Sequence, residues 1–156
     1  MSDPVRIVFL GGLGEIGRNC MAIEQGVGDA RRIVLIDCGL MFPGPDLHGI
    51  DLVLPDFTYL VENADRIDGL LATHGHEDHV GGLQFLLREI ELPVYGSPLT
   101  LGLARNRIEE AGLLGRTDLR PVADGEEVVV GPFRAEFVPV THSVPHAHAV
   151  VLHTSQ

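Results

Sequence analysis

Lysine is absent from this 156-residue chain: all eleven basic side chains are arginines, set against 22 acidic ones for a formal net charge of −11. That balance excludes a generic nucleic-acid glove, which neutralises phosphates with basic side chains. It does not exclude a nucleic acid as substrate, because divalent cations bound at a carboxylate-rich site reverse the local sign. Cysteine is scarce. Cys20 and Cys38 are the only two, too few for a disulfide framework, and each sits in or after an apolar run as a small buried hydrophobe would. A reducing, cytoplasmic setting is expected. No apolar run approaches the roughly 20 residues of a membrane span. No basic segment followed by an apolar stretch and a cleavage site opens the chain, so no secretory leader is expected. Repeats and low-complexity tracts are missing too. With 45% hydrophobic and 21% charged residues, what remains is a globular chain with enough residues for one core.

The richest stretch is Thr73-His74-Gly75-His76-Glu77-Asp78-His79. An apolar run, Ile67 to Ala72, precedes it and reads as a short buried strand. Val80 to about Glu89 follows and reads as a helix with an apolar face. The histidines therefore lie on a strand-to-helix turn. In extended chain, residues i and i+2 point the same way, so His74 and His76 can offer two imidazoles to one cation, while Asp78 and His79 face a neighbouring position. Imidazole and carboxylate suit zinc and also manganese. So short a segment cannot enclose an ion, and His142, which follows the strand-like run Phe137–Val140, is the best candidate for a further arm.

Taken in order, the chain reads as strands over Val5–Leu10, Asn19–Glu24 and Arg31–Asp37, joined by short turns as an antiparallel meander. A long loop with His48, expected in solvent, spans residues 41–55, and a short helix capped by Asp56 follows. Beyond the histidine motif come a strand at Pro93–Gly96 and a helix capped by Ser97 with Pro98 at its first position. Leu99, Leu103 and Ile108 are expected on its inner side. Leu119–Val122, Glu126–Val130, Phe133–Val140 and Ala147–Thr154 read as strands. By themselves these patterns give mixed α/β.

Gly12-x-Gly14-x-x-Gly17, with Asp37 downstream, fits a dinucleotide-binding fingerprint. That reading needs a helix after the glycines, and Asn19–Glu24 is too short for one before Gly26 and Gly28. A turn that brings backbone close to a metal site is expected instead.

His74-Gly75-His76-Glu77-Asp78-His79 resembles the HxHxDH signature of the metallo-β-lactamase superfamily. Four further stretches resemble its ribonuclease J branch, a β-CASP group: Gly11–Gly17, Asp37–Pro43, Gly49–Phe57 and Val140–Pro145. The resemblance implies an αββα sandwich, of which residues 1–156 would form the N-terminal part, the rest of the domain and the β-CASP and C-terminal regions lying beyond. It implies two-metal hydrolysis of RNA phosphodiesters, with 5′-to-3′ exonuclease and endonuclease activity. His74, His76 and His142 would hold one ion, and Asp78 and His79 would contribute to a second. Zinc is the implied metal, with manganese or magnesium as alternatives. Asp78 would also orient or deprotonate the attacking water. Asp37 would support the metal loop from behind, and Ser143 would touch phosphate. A full-length protein would be a homodimer or homotetramer in the cytoplasm, with RNA as substrate and RNA-decay proteins as partners.

Two departures stand out. The family's later Asp and distant His ligands are not in this chain, so little nuclease activity is expected of it alone. Where the family has an acidic and a small hydroxyl residue after Pro145, this chain has His146 and Ala147. His146, His148 and His153 are expected at the surface. The alternatives to a ribonuclease are a superfamily hydrolase of small acyl substrates, a non-catalytic zinc-binding fragment, and the dinucleotide-dependent oxidoreductase.

Overall fold

A computed structural model describes residues 3–154. Two sheets pack face to face. The first contains β1 (Val5–Gly11), β2 (Cys20–Gln25), β3 (Arg32–Ile36), β4 (Ile67–Leu71), β5 (Pro93–Gly96) and β6 (Asp118–Pro121), side by side in chain order. β1, β2 and β3 form the expected antiparallel meander, and β3 to β6 run parallel. The second sheet contains β7 (Glu127–Val130), β8 (Phe133–Val140) and β9 (Ala147–His153), all antiparallel. Helices α1 (Thr58–Glu62), α2 (Glu77–Val80), α3 (Leu83–Glu89) and α4 (Pro98–Glu110) fall in the connections of the parallel half.

The pleat divides the core in two. In β3, Ile33 and Leu35 face the helices, where they meet Leu70, Leu83, Leu86, Leu87 and Ile108. Val34 faces the other way and joins Leu71, Tyr95, Phe133, Ala135 and Phe137 between the sheets. Burial on both faces is why β3 reads as an unbroken apolar run. In β8 the alternation is clean: Phe133, Ala135 and Phe137 are fully buried, while Arg134 lies on the outer face. That outer face leaves Val129 71% and Val151 43% exposed. The described residues thus supply helix, sheet and sheet of the expected sandwich.

Three expectations need correction. The helix after the histidine motif is two pieces, α2 and α3, divided at Gly81 and Gly82. Gly82 lies against the carbonyls of Cys38 and Gly39, where a Cβ would sit 2.6 Å from Gly39 O; the chain is pressed there too tightly for a side chain. In α4 the inward residues are Thr100, Leu101, Ala104 and Ile108, and Leu103 is 44% exposed. His148 is buried rather than at the surface. Ser97 does cap α4, its Oγ accepting from Thr100 N at 3.1 Å. No helix follows the glycine turn: the chain goes from β1 to β2 through bends, which removes the structural basis of a dinucleotide site.

Candidate metal centre

β4 ends at the C-terminal edge of the parallel sheet, and Thr73 to His76 run out from it into α2. His148 N donates to Thr73 O at 2.9 Å, which sets the β8–β9 hairpin beside this edge and brings its connection, with His142, to the same place. His74 Nε2 and His142 Nε2 each lie 3.2 Å from His76 Nδ1. All three nitrogens fall within 4.8 Å of one another. Tetrahedral coordination with bonds of about 2.0 Å separates ligands by roughly 3.3 Å, so the donor set fits a cation such as zinc. Burial, followed by the neighbouring His79, His142 and His76, pushes the His74 pKa down to about 4, which keeps its nitrogen free to bind.

Hydrogen bonds behind the ligands fix the tautomers. Asp37 Oδ1 accepts from Thr73 N at 2.7 Å, and Asp37 Oδ2 accepts from Thr73 Oγ1 at 2.8 Å. With its one hydrogen spent on Asp37, the Thr73 hydroxyl accepts from His74 Nδ1 at 2.9 Å, leaving His74 Nε2 bare toward the cluster. Asp37 Oδ2 also accepts from His79 Nδ1 at 2.7 Å. His79 Nε2 then faces Asp78 Oδ2 at 3.5 Å and Asn19 Nδ2 at 3.3 Å. Burial alone lowers the His79 pKa, but its bond to and the charge of Asp37 outweigh this and raise it. Asp37 adopts a left-handed backbone, φ 59°, uncommon for a residue with a side chain.

The structure thus brings His74, His76 and His142 into one cluster. It sets Asp78 and His79 beside them as a second group, the His79 ring 4.0 Å from that of His74. Ser143 Oγ lies 3.3 Å from His76 Nε2. His48 is exposed and apart. A cavity of about 300 Å³ opens over the site, lined by Asp37, Thr73, His74, His79, His142 and His148 among others.

Sequence reasoning missed Asn19, whose amide holds Asp78 Oδ2 at 3.2 Å and whose N–H donates to the Asp78 carbonyl at 3.0 Å. It also missed Leu103, whose side-chain end lies against Gly75 between the two histidines. Neither carries a local signal, since both act across the fold. Residues 38–40 thread between these partners like a strand. Cys38 N donates to His79 O at 2.8 Å, Gly39 N to Asn19 O at 2.9 Å and Leu40 N to Glu77 O at 3.0 Å. Cys20 and Cys38 are buried and free, as expected.

Residues 13–155 match the family described as the metallo-beta-lactamase superfamily. The chain belongs to that superfamily. Divalent metal binding is its common property, and the histidine cluster is placed accordingly. Among curated relatives, the chain is 41% identical over 154 residues to ribonuclease J 1 of Streptococcus pyogenes, covering 99% of this chain and 27% of the relative. It is 44% identical over 155 residues to ribonuclease J of Synechocystis, covering 98% and 24%. To ribonuclease J2 of Bacillus subtilis it is 39% identical over 154 residues, covering 99% and 27%. The chain therefore spans about a quarter of the length of these relatives. Zinc-bound PqqB from Methylobacterium extorquens shares the fold with a TM-score of 0.65 at 15% identity, over 95% of this chain and 61% of that one. Rm3 metallo-beta-lactamase does so at 0.59 and 20% identity, over 95% and 54%.

Proposed function

We propose that this chain forms the metal-binding part of a ribonuclease that hydrolyses RNA phosphodiesters, from a 5′ end and internally. The observation that carries the reading is the convergence of three imidazole nitrogens, His74 and His142 each 3.2 Å from His76, on a loop backed by Asp37. Similarity to proteins named ribonuclease J along nearly all of the chain supports RNA over acyl substrates. His74, His76 and His142 are proposed to hold one ion and Asp78 and His79 to contribute to a second. Zinc is the proposed metal, since four of these five donors are imidazoles; manganese and magnesium are the competitors. Bound metal supplies charge that lowers the pKa of water and neutralises phosphate oxygens. The chain's own residues do the rest. In this proposal Asp78, steadied by Asn19, takes a proton from water, and Ser143 donates to a phosphate oxygen. Asp37 and Thr73 hold the imidazoles in their binding tautomers. A cytoplasmic setting and a homodimeric or homotetrameric assembly with RNA-decay partners belong to the same proposal. Among the described residues no helix is long and apolar enough to cross a membrane.

The test is a graft. Synechocystis ribonuclease J, with its matching segment exchanged for this chain, is assayed on 5′-monophosphorylated RNA with zinc, manganese or magnesium. The expected result is RNA cleavage that His76→Ala abolishes. A folded, metal-loaded graft that cleaves a thioester or β-lactam but not RNA would overturn the substrate class.

A further inference from the structure

The inward row of β9 reads His148, Val150, Leu152, and the last two pack against the core between the sheets. A valine or leucine at position 148 would continue that row without burying a polar atom. Instead an imidazole stands there with its side chain 0% exposed, edge-on to the Phe137 ring at 5.6 Å. Its Nε2 lies 2.9 Å from Asp124 Oδ1, and its Nδ1 is shielded from solvent without a partner. Asp124 can only accept, so Nε2 donates to it, and Nδ1 is left without a partner. Half-satisfied burial of this kind is costly, so what the ring gains must come through Asp124.

The position explains the gain. His148 lies opposite Pro139 at the base of the β8–β9 hairpin, whose connection, residues 141–146, carries His142. Its backbone N–H leaves the hairpin and donates to Thr73 O at 2.9 Å, directly before His74. Its side chain reaches the segment leading into β7. One residue therefore ties the His142 hairpin to the His74 loop and to the edge of the second sheet. The hairpin needs such a tie: His142 itself is exposed, and His146 bends the return with a left-handed φ of 55°.

We propose that His148, held by Asp124, is a positioning residue for the metal centre, fixing the base of the 141–146 hairpin so that His142 meets His74 and His76. This rests on the reading that those three histidines bind metal. The test measures cobalt affinity, the cobalt absorption spectrum and the melting temperature of the metal-free protein for the native chain, Asp124→Ala, His148→Leu and His148→Gln. Leucine suits the apolar row, so metal-free His148→Leu is expected to melt near or above the native value, whereas Asp124→Ala, which leaves the buried ring without its partner, is expected to melt lower. Both are expected to bind cobalt about 10-fold more weakly, the lower end of what groups behind metal ligands command, with an altered spectrum. His148→Gln, whose amide can still donate to Asp124, is expected to recover most of the loss. Native affinity and spectrum in both Asp124→Ala and His148→Leu would overturn the proposal. So would losses that follow melting temperature across all three variants, with Gln no better than Leu. No cobalt binding by the native chain would overturn this and the metal reading together, whereas native binding with indifferent variants removes only the role of His148.

Discussion

Two trios of donor side chains occur among the described residues: His74, His76 and His142, and Glu127, Glu136 and His153. In each, the donor atoms lie within 4.8 Å of one another. The first joins loops of two sheets and is backed by the hydrogen bonds of Asp37 and Thr73. The second lies on the outer face of one sheet. Glu127 and Glu136 sit directly opposite in the ladder, an unfavourable pairing of like charges, and Arg134 offsets it by binding Glu127 at 3.1 Å. His153 Nε2 has no partner. Donor count is the same and both trios fall within one distance bound; what differs is whether anything fixes the tautomer, the rotamer and the approach of the backbone.

The largest effect should come from the backbone behind the first trio. A methyl group at Gly39 would overlap the Asp78 carbonyl oxygen. Gly39→Ala is expected to cost about 3 kcal/mol, the upper end of overpacking penalties, read as a shifted denaturation midpoint; an unchanged midpoint would mean that this approach is loose. His76→Ala removes the donor common to both 3.2 Å contacts. Elemental analysis and zinc titration should show affinity reduced by more than ~100-fold, beyond the range of supporting groups. Asp37→Asn keeps a residue tolerant of left-handed backbone and removes the charge that Thr73 and His79 address. Its zinc affinity should fall by roughly 10-fold or more, and native affinity would disprove the supporting role.

Acid and alkali should also act on the first trio's surroundings. With His74 near 4 in the folded chain against about 6.5 unfolded, the unfolded state holds the extra proton between those values. Stability of the metal-free chain should fall as pH drops through that window. His79, raised by Asp37, contributes in the opposite sense: its stabilisation is present below about 6.5 and lost as pH rises through the raised value. Melting curves of chelator-treated protein should show His74→Gln flattening the acid limb and His79→Gln the alkaline one. The smallest effect should come from the second trio. Glu136→Gln and His153→Ala should leave metal content within about twofold of native, the expectation for surface substitutions of small energetic consequence. A lost ion in either would break the contrast between the two clusters.

Strands and the metal motif were legible because their signals are local. Ile33 to Ile36 announce a buried strand by composition, and His74-x-His76 announces a site by spacing. The supporting groups were not legible in the same way. Asp37 meets His79 across 42 residues and Asn19 meets Asp78 across 59, and nothing beside Asn19 marks it. On α4, Leu99, Leu101 and Leu103 are spread around the helix, and only the position of the sheet decides that Leu101 turns inward. His148 looked like a surface residue because a polar side chain in a strand of alternating exposure is most cheaply placed in water. Asp124, 24 residues earlier, is what makes burial tolerable. Glu24 is similar: 3% exposed, it is paired with Arg6 and Arg31 from neighbouring segments.

His76 and His142 are separated by 66 positions in the chain and lie in loops attached to different sheets. An ion shared between them closes a covalent-like ring through the whole α4 and β5–β8 segment. Unlike a disulfide, such an ion stabilises by binding the folded chain and not the unfolded one, by about 4 kcal/mol at a free concentration 1,000 times its Kd, in a chain whose two thiols are both free. On the proposed reading the metal is then a reversible staple between the loops of the two sheets. Chelation should be felt as a higher unfolding rate before it is felt anywhere else.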